Sequence, residues 1–187
     1  MTPQELKERL RRQAAALPRA NVPHLLEQFL ALPQVEAAHT VMVFYGVGRE
    51  PDTTALIDQL LAMGKRVALP VCLPQRKMEA RIITSQDQLI PNHYGIPEPD
   101  GVCPIVPQED VDVVLVPNMM CDRAGYRLGQ GGGYYDRFLS NYRGGTVLLC
   151  REKLIREEIP LEPHDYPIPW VLTEVGLYED GTPARLG

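Results

Sequence analysis

What this chain lacks is the first guide to what it does. Its four cysteines, Cys72, Cys103, Cys121 and Cys150, form no C-x-x-C pair, which predicts neither a zinc site nor a disulfide framework and fits free thiols in a reducing compartment. No uninterrupted apolar run approaches the roughly 20 residues of a membrane span. The N-terminus is charged and shows no apolar leader, so the chain reads as a cytoplasmic protein with no membrane partner. Positive charge is in deficit as well: 19 Lys and Arg face 24 Asp and Glu, a net of −5. That balance argues against a nucleic-acid partner, and any anionic ligand must meet local positive charge. Internal repeats and low-complexity tracts are absent too. What remains is an ordinary globular composition, 44% hydrophobic in 187 residues, which suits a single domain over 1–187. We expect a monomer.

Periodicity supplies the elements. Thr2, Pro3 and Glu5 form a capping box with proline inside the start of a helix running to about Leu17, and a second helix carries Leu25, Leu26, Phe29 and Leu30. The run Thr40 to Tyr45 has the character of a fully buried strand. Asp52 is expected to cap a helix ending at Gly64, and Arg66 to Val71 to be the next strand, making 40–71 a β-α-β unit with parallel strands. A polar strand, Met78 to Ile83, precedes a proline-rich stretch from Pro91 to Pro107 that reads as a surface loop. Asp112 to Val116 is a buried strand feeding a glycine loop and a helix over about 133–142; Thr146 to Cys150 completes a second β-α-β. Short strands near 170–173 and 175–178 follow. Alternating elements predict an α/β fold, a three-layer α/β/α domain with a mainly parallel, Rossmann-like sheet and its ligand beyond the carboxyl ends of the strands.

The segment from Asp122 to Leu139, DRAGYRLGQGGGYYDRFL, carries the chemistry. Glycines at 129, 131, 132 and 133 let backbone N–H groups approach an anion, and the following helix start adds unpaired donors. Arg127 stands before this cradle and Asp136 after it, a cation for phosphate oxygens and a carboxylate for a metal. Tyr135, Phe138, Leu139 and Tyr142 form the core stripe of the helix, leaving Asp136 off it. There Asp136 can serve a magnesium ion or simply favour the helix N-terminus. Tyr134 reads as core more readily than as a ligand stacker. The loop is no Walker motif, having no Lys-Ser/Thr after its glycines, and its G-x-G-G-G spacing is no dinucleotide fingerprint. In the first helix Glu5 with Arg9 and Glu8 with Arg12 have favourable i, i+4 spacing, so Lys7 and Arg11 stand out as unpaired cations that a polyphosphate would relieve.

This segment resembles the signature of the 5-formyltetrahydrofolate cyclo-ligase family almost residue for residue. Lys7 to Arg11, Glu50 to Thr53, Pro160 to Asp165 and Val171 to Glu174 resemble further blocks of that family. The resemblance implies an ATP-dependent ligase: ATP phosphorylates the formyl oxygen of 5-formyltetrahydrofolate, the N10 amine closes on the activated carbon, and methenyltetrahydrofolate, ADP and phosphate result. It also implies roles by position. Lys7 and Arg11 would contact ATP, Arg11 also nearing the substrate, and Arg127, Leu128, Gly129, Gln130, Gly131, Gly132, Gly133, Tyr134 and Tyr135 would hold the nucleotide. The stretch Gln130 to Tyr134 would also touch folate, with Tyr45 and Glu50 lining its site. Asp136 and Asp165 would bind Mg2+. Arg127 and Glu50 would carry the catalysis. Read from the residues alone, His164 beside Asp165 suits a loop imidazole with a structural hydrogen bond better than a metal ligand.

Three departures accompany the likeness. The stretch between Arg11 and Glu50 is shorter than is usual in the family, Gln130 stands where many relatives carry arginine or an aromatic residue, and 151–156 has no counterpart of a family glutamine. These leave a second reading, a catalytically weakened paralogue that binds folate or nucleotide. A sugar-phosphate isomerase or acyl-CoA transferase would rest on fold analogy alone.

Overall fold

The computed structural model describes residues 1–16, 23–48, 50–129, 133–163 and 165–184. Expectations for Gln130, Gly131, Gly132 and His164, and the helix end at Leu17, fall outside the described residues. In chain order the elements are α1 (Pro3–Ala15), α2 (Pro23–Ala31), α3 (Pro33–Ala37), β1 (Thr40–Met42), α4 (Thr54–Ala62), β2 (Arg66–Cys72), β3 (Met78–Ile83), β4 (Leu89–Pro91), β5 (Pro97–Pro99), β6 (Ile105–Val106) and β7 (Val113–Val116). Then come β8 (Met120–Asp122), β9 (Arg127–Leu128), α5 (Tyr134–Leu139), β10 (Gly145–Leu149), β11 (Ile155–Arg156), β12 (Trp170–Leu172), β13 (Leu177–Glu179) and β14 (Thr182–Ala184).

Nine strands form one sheet in the order β14-β13-β12-β10-β7-β1-β2-β3-β6. Its centre, β12-β10-β7-β1-β2, is parallel, and both flanks are antiparallel. Alternating side chains feed two cores, as the two-residue period of a strand requires. Val41, Val113, Leu115 and Val147 pack with Leu25 and Phe29 of α2, Val35 of α3 and Leu56 and Leu60 of α4. Met42, Val114, Val116 and Leu148 face the other way, toward Ala14 of α1 and Phe138 and Leu139 of α5. Helices therefore cover both faces, as expected. The β1-α4-β2 crossover departs from the centre in one direction and β7-α5-β10 in the other, so the strand order reverses between adjacent β1 and β7. In such sheets ligands bind at that reversal, outside the carboxyl ends.

Several local expectations are corrected. The stretch 91–107 is not simply a loop: β4 and β5 pair as a hairpin, β6 adds an edge to β3, and Cys103 and Val106 are buried. Proline removes a donor but keeps its carbonyl, so sheet edges tolerate it. Between β7 and the glycine loop a hairpin, β8-β9, is interposed and joined by β11 in a separate sheet. Buried Asp122 organises its turn, accepting from the N–H of Tyr126 at 3.0 Å and of Ile159 at 3.3 Å. Helix α4 starts one residue later than Asp52 capping implied: Thr53 occupies the cap while Asp52 accepts from the Thr54 N–H at 2.9 Å. Helix α5 stops at Leu139, and the Tyr142 hydroxyl instead donates to the Val111 carbonyl at 2.8 Å.

Candidate active site

Two clefts take in four of the predicted site residues, Glu50, Arg127, Asp136 and Asp165. One, of about 230 Å³, lies at the carboxyl ends of β1, β7 and β10, where the strand order reverses. Its walls carry Glu50, Val47, Asn118, Met119, Arg151 and Leu154. Glu50 is half-buried, and its Oε1 accepts from the Val47 N–H at 3.0 Å. The turn holding it is anchored by Thr53, wholly buried, which donates to the Phe44 carbonyl at 2.7 Å and accepts from the Gly46 N–H at 3.0 Å. Buried Arg151, with Asn118 and Met119, follows strand ends and had no pattern of its own. Tyr45 does not line this cleft; it packs against the core on the α4 face, where its sequence position on the run out of β1 directs it.

The second, smaller cleft brings together Arg127 from β9, Asp136 from α5 and Asp165 from the C-terminal loop, with Tyr166 and Ile168. The Arg127 guanidinium is held on three sides. It donates to the Pro117 carbonyl at 3.0 Å and to Asp136 Oδ1 at 2.9 Å, and lies 5.8 Å from the Tyr135 ring centroid. A Cβ on Gly129 would press to 3.1 Å from its Nη1, so the close approach of backbone to guanidinium calls for glycine. The Leu128 side chain is fully buried in the core, leaving its backbone for any ligand.

Lys7 and Arg11 are not unpaired, contrary to the sequence reading. Lys7 is buried, its Nζ 2.6 Å from Asp165 Oδ2 and 3.3 Å from Glu162 Oε1. Arg11 donates to Glu8 and, at 2.8 Å, to the Gly129 carbonyl. Glu8 therefore serves Arg11, and Glu5 closes the capping box on the Thr2 N–H at 2.6 Å. Contacts 158 residues apart, such as Lys7 with Asp165, leave no trace in helical spacing. Helix α1 thus brings Arg11 to Gly129 and Lys7 to Asp165.

Tyr135 feels residues of both clefts, Glu50 of the larger and Arg127 of the smaller. Its hydroxyl is buried without a hydrogen-bond partner among the described residues, and burial, reinforced by Glu50 and opposed by Arg127, pushes its pKa up. It remains a protonated donor at neutral pH. Gly133, at φ 75°, takes the left-handed conformation that starts α5. With only six residues that helix sums few peptide dipoles.

Among the described residues no group of three or more His, Cys, Asp or Glu could hold a metal by itself. Asp136 and Asp165 nevertheless fit a hard cation of the magnesium type, which takes one or two protein carboxylates together with phosphate oxygens and water. Both are anionic oxygen donors on one cleft, and the Asp136 side chain is 50% exposed.

An α/β sheet with a largely apolar cleft holding Glu50 and Arg151 at its reversal point, and paired cations and carboxylates gathered around Arg127 and Asp165, has the layout of an enzyme of the α/β class. The family is shown by comparison. The profile of the 5-formyltetrahydrofolate cyclo-ligase family matches residues 3–174, and this chain belongs to that family. It is 37% identical over 158 residues to the 5-formyltetrahydrofolate cyclo-ligase of Escherichia coli K12, covering 81% of this chain and 87% of that one. The cyclo-ligase of Mycolicibacterium smegmatis is 37% identical over 150 residues, covering 73% and 74%. An NMR structure of Aquifex aeolicus 5,10-methenyltetrahydrofolate synthetase superposes with a TM-score of 0.84 at 27% identity, covering 100% of this chain and 97% of that one.

Proposed function

We propose that this chain converts 5-formyltetrahydrofolate to 5,10-methenyltetrahydrofolate with ATP and magnesium, acting as a monomeric, single-domain cytoplasmic enzyme. Family membership gives the cyclo-ligase activity. The observation that carries the division of labour is the placement of Glu50 on the larger cleft and of Arg127, Asp136 and Asp165 on the smaller one.

The folate head group takes the larger cleft, where the Glu50 carboxylate accepts from pterin N–H donors. Apolar Val47, Met119 and Leu154 exclude water from its rings. The nucleotide phosphates take the smaller cleft with Lys7, Arg11, Arg127 and the glycine segment 129–133. A formamide oxygen is a poor leaving group. Its attack on the γ-phosphorus expels ADP and converts it to a phosphate ester; N10 then bonds to the same carbon, loses its proton, and phosphate departs. Arg127 supplies charge for the transferring phosphoryl group, and such transfers depend mainly on positioning and electrostatics. Asp136 and Asp165 would hold the magnesium ion, which neutralises phosphate charge. Tyr135, a protonated donor that feels both Glu50 and Arg127, would help to orient the two substrates.

The test is to mix the protein with 5-formyltetrahydrofolate and magnesium ATP and follow the near-ultraviolet absorbance of the methenyl product. Absorbance should rise only with both substrates and metal. No ATP-dependent rise, with folate still bound, would favour the weakened paralogue instead.

A further inference from the structure

We propose that Arg76 is an additional phosphate-binding residue of this enzyme, meeting nucleotide phosphate oxygens at Gly133. The inference rests on the cyclo-ligase reading above. It begins with a charge imbalance. Lys7, Arg11 and Arg127 are the three cations assigned to phosphate, yet they face four carboxylates, Glu8, Glu162, Asp165 and Asp136. In a chain of net charge −5, a polyphosphate entering this cluster would gain from a further cation.

Arg76 is exposed and makes no hydrogen bond or ion pair with any described residue. Its Cδ and Nη1 nevertheless lie 3.9 Å from the point that a Cβ on Gly133 would occupy, and the neighbouring Tyr134 hydroxyl feels its charge. Its backbone is unusual. Gln75 and Arg76 are successive left-handed residues, φ 63° and 59°, neither of them glycine. L-residues with a Cβ rarely adopt that conformation, and such outliers gather at ligand clamps. The turn is tied off by the Leu73 N–H to the Lys77 carbonyl at 2.8 Å, which fixes where Arg76 starts. The phosphates are its ligand, not the carboxylate tail of folate, because Arg76 approaches the glycine segment and is absent from the walls of the Glu50 cleft.

Because Arg76 is exposed and unpaired among the described residues, Arg76→Gln should fold with an unchanged melting temperature. Loss of a charge-assisted hydrogen bond to phosphate is expected to raise the KM for magnesium ATP about tenfold. The KM for 5-formyltetrahydrofolate should stay within about twofold, and Arg76→Lys should recover part of the loss. An unchanged KM for ATP overturns the proposal. So does a rise confined to the KM for 5-formyltetrahydrofolate, which would give Arg76 to the folate carboxylates. If the unmodified protein shows no turnover, the cyclo-ligase reading fails on its own. Calorimetric binding of magnesium ADP to wild type and Arg76→Gln then decides Arg76, equal affinities overturning its role.

Discussion

Asp112 shows how a single side chain ties two strands together. Its Oδ2 accepts from the N–H groups of His39 and Thr40, each at 2.9 Å, and these bonds hold its pKa below the ordinary carboxylate value. A lowered carboxyl pKa contributes stability that is complete above the unfolded value of about 3.9 and disappears as pH falls through the folded value. Asp112→Asn should therefore lower the melting temperature at pH 7 and flatten its decline below about pH 4, measured by thermal melts across pH. Asp136 makes the contrasting prediction. Asp136→Asn should abolish most magnesium-dependent turnover while leaving the far-ultraviolet spectrum and melting temperature near wild type, because the side chain is half exposed. Unchanged kinetics would return Asp136 to the role of a helix-start acid that pairs with Arg127. Residues of this kind were legible in the sequence only through flanking pattern and resemblance. The pairing of Lys7 with Asp165, by contrast, depends on the folded chain joining its two ends.

At the scale of elements, the parallel strands were legible because Val41, Val67, Val113 and Val147 sit in short apolar β-branched runs that allow little but burial. The hairpin of β8 and β9 was not. Met120, Cys121 and Leu128 are buried, but two- and three-residue strands are too short to show a period, and their pairing depends on the Asp122 turn. The proline-rich stretch misled for a related reason, since proline marks an edge strand as readily as a loop. The turn between β1 and α4 joins element to function, because Thr53 ties Phe44 and Gly46 together beneath Glu50. Thr53→Val keeps the shape and removes one bond from each. We expect a loss of about 2–3 kcal/mol by denaturant unfolding and a KM for 5-formyltetrahydrofolate raised several-fold, with that for ATP little changed.

For the whole molecule, the two carboxylates proposed for magnesium are already engaged by cations, Asp165 by Lys7 and Asp136 by Arg127. A bound metal has to compete with both, whereas a metal nucleotide brings phosphates to which those cations can transfer. Magnesium alone at millimolar concentration should thus leave the melting temperature unchanged, while magnesium ATP at about 100 times its Kd should stabilise by roughly 2.7 kcal/mol, read by thermal shift. An equal shift from the metal alone would mean that the carboxylates bind it without nucleotide. In the proposed reaction the larger cleft delivers a formyl oxygen to a phosphoryl group held in the smaller one. Heavy oxygen placed in the formyl group of 5-formyltetrahydrofolate follows that oxygen directly. In a reaction with unlabelled magnesium ATP, mass spectrometry should find the label in the released inorganic phosphate, one atom per methenyl product; label appearing in water, or methenyl product forming without ATP, would contradict it.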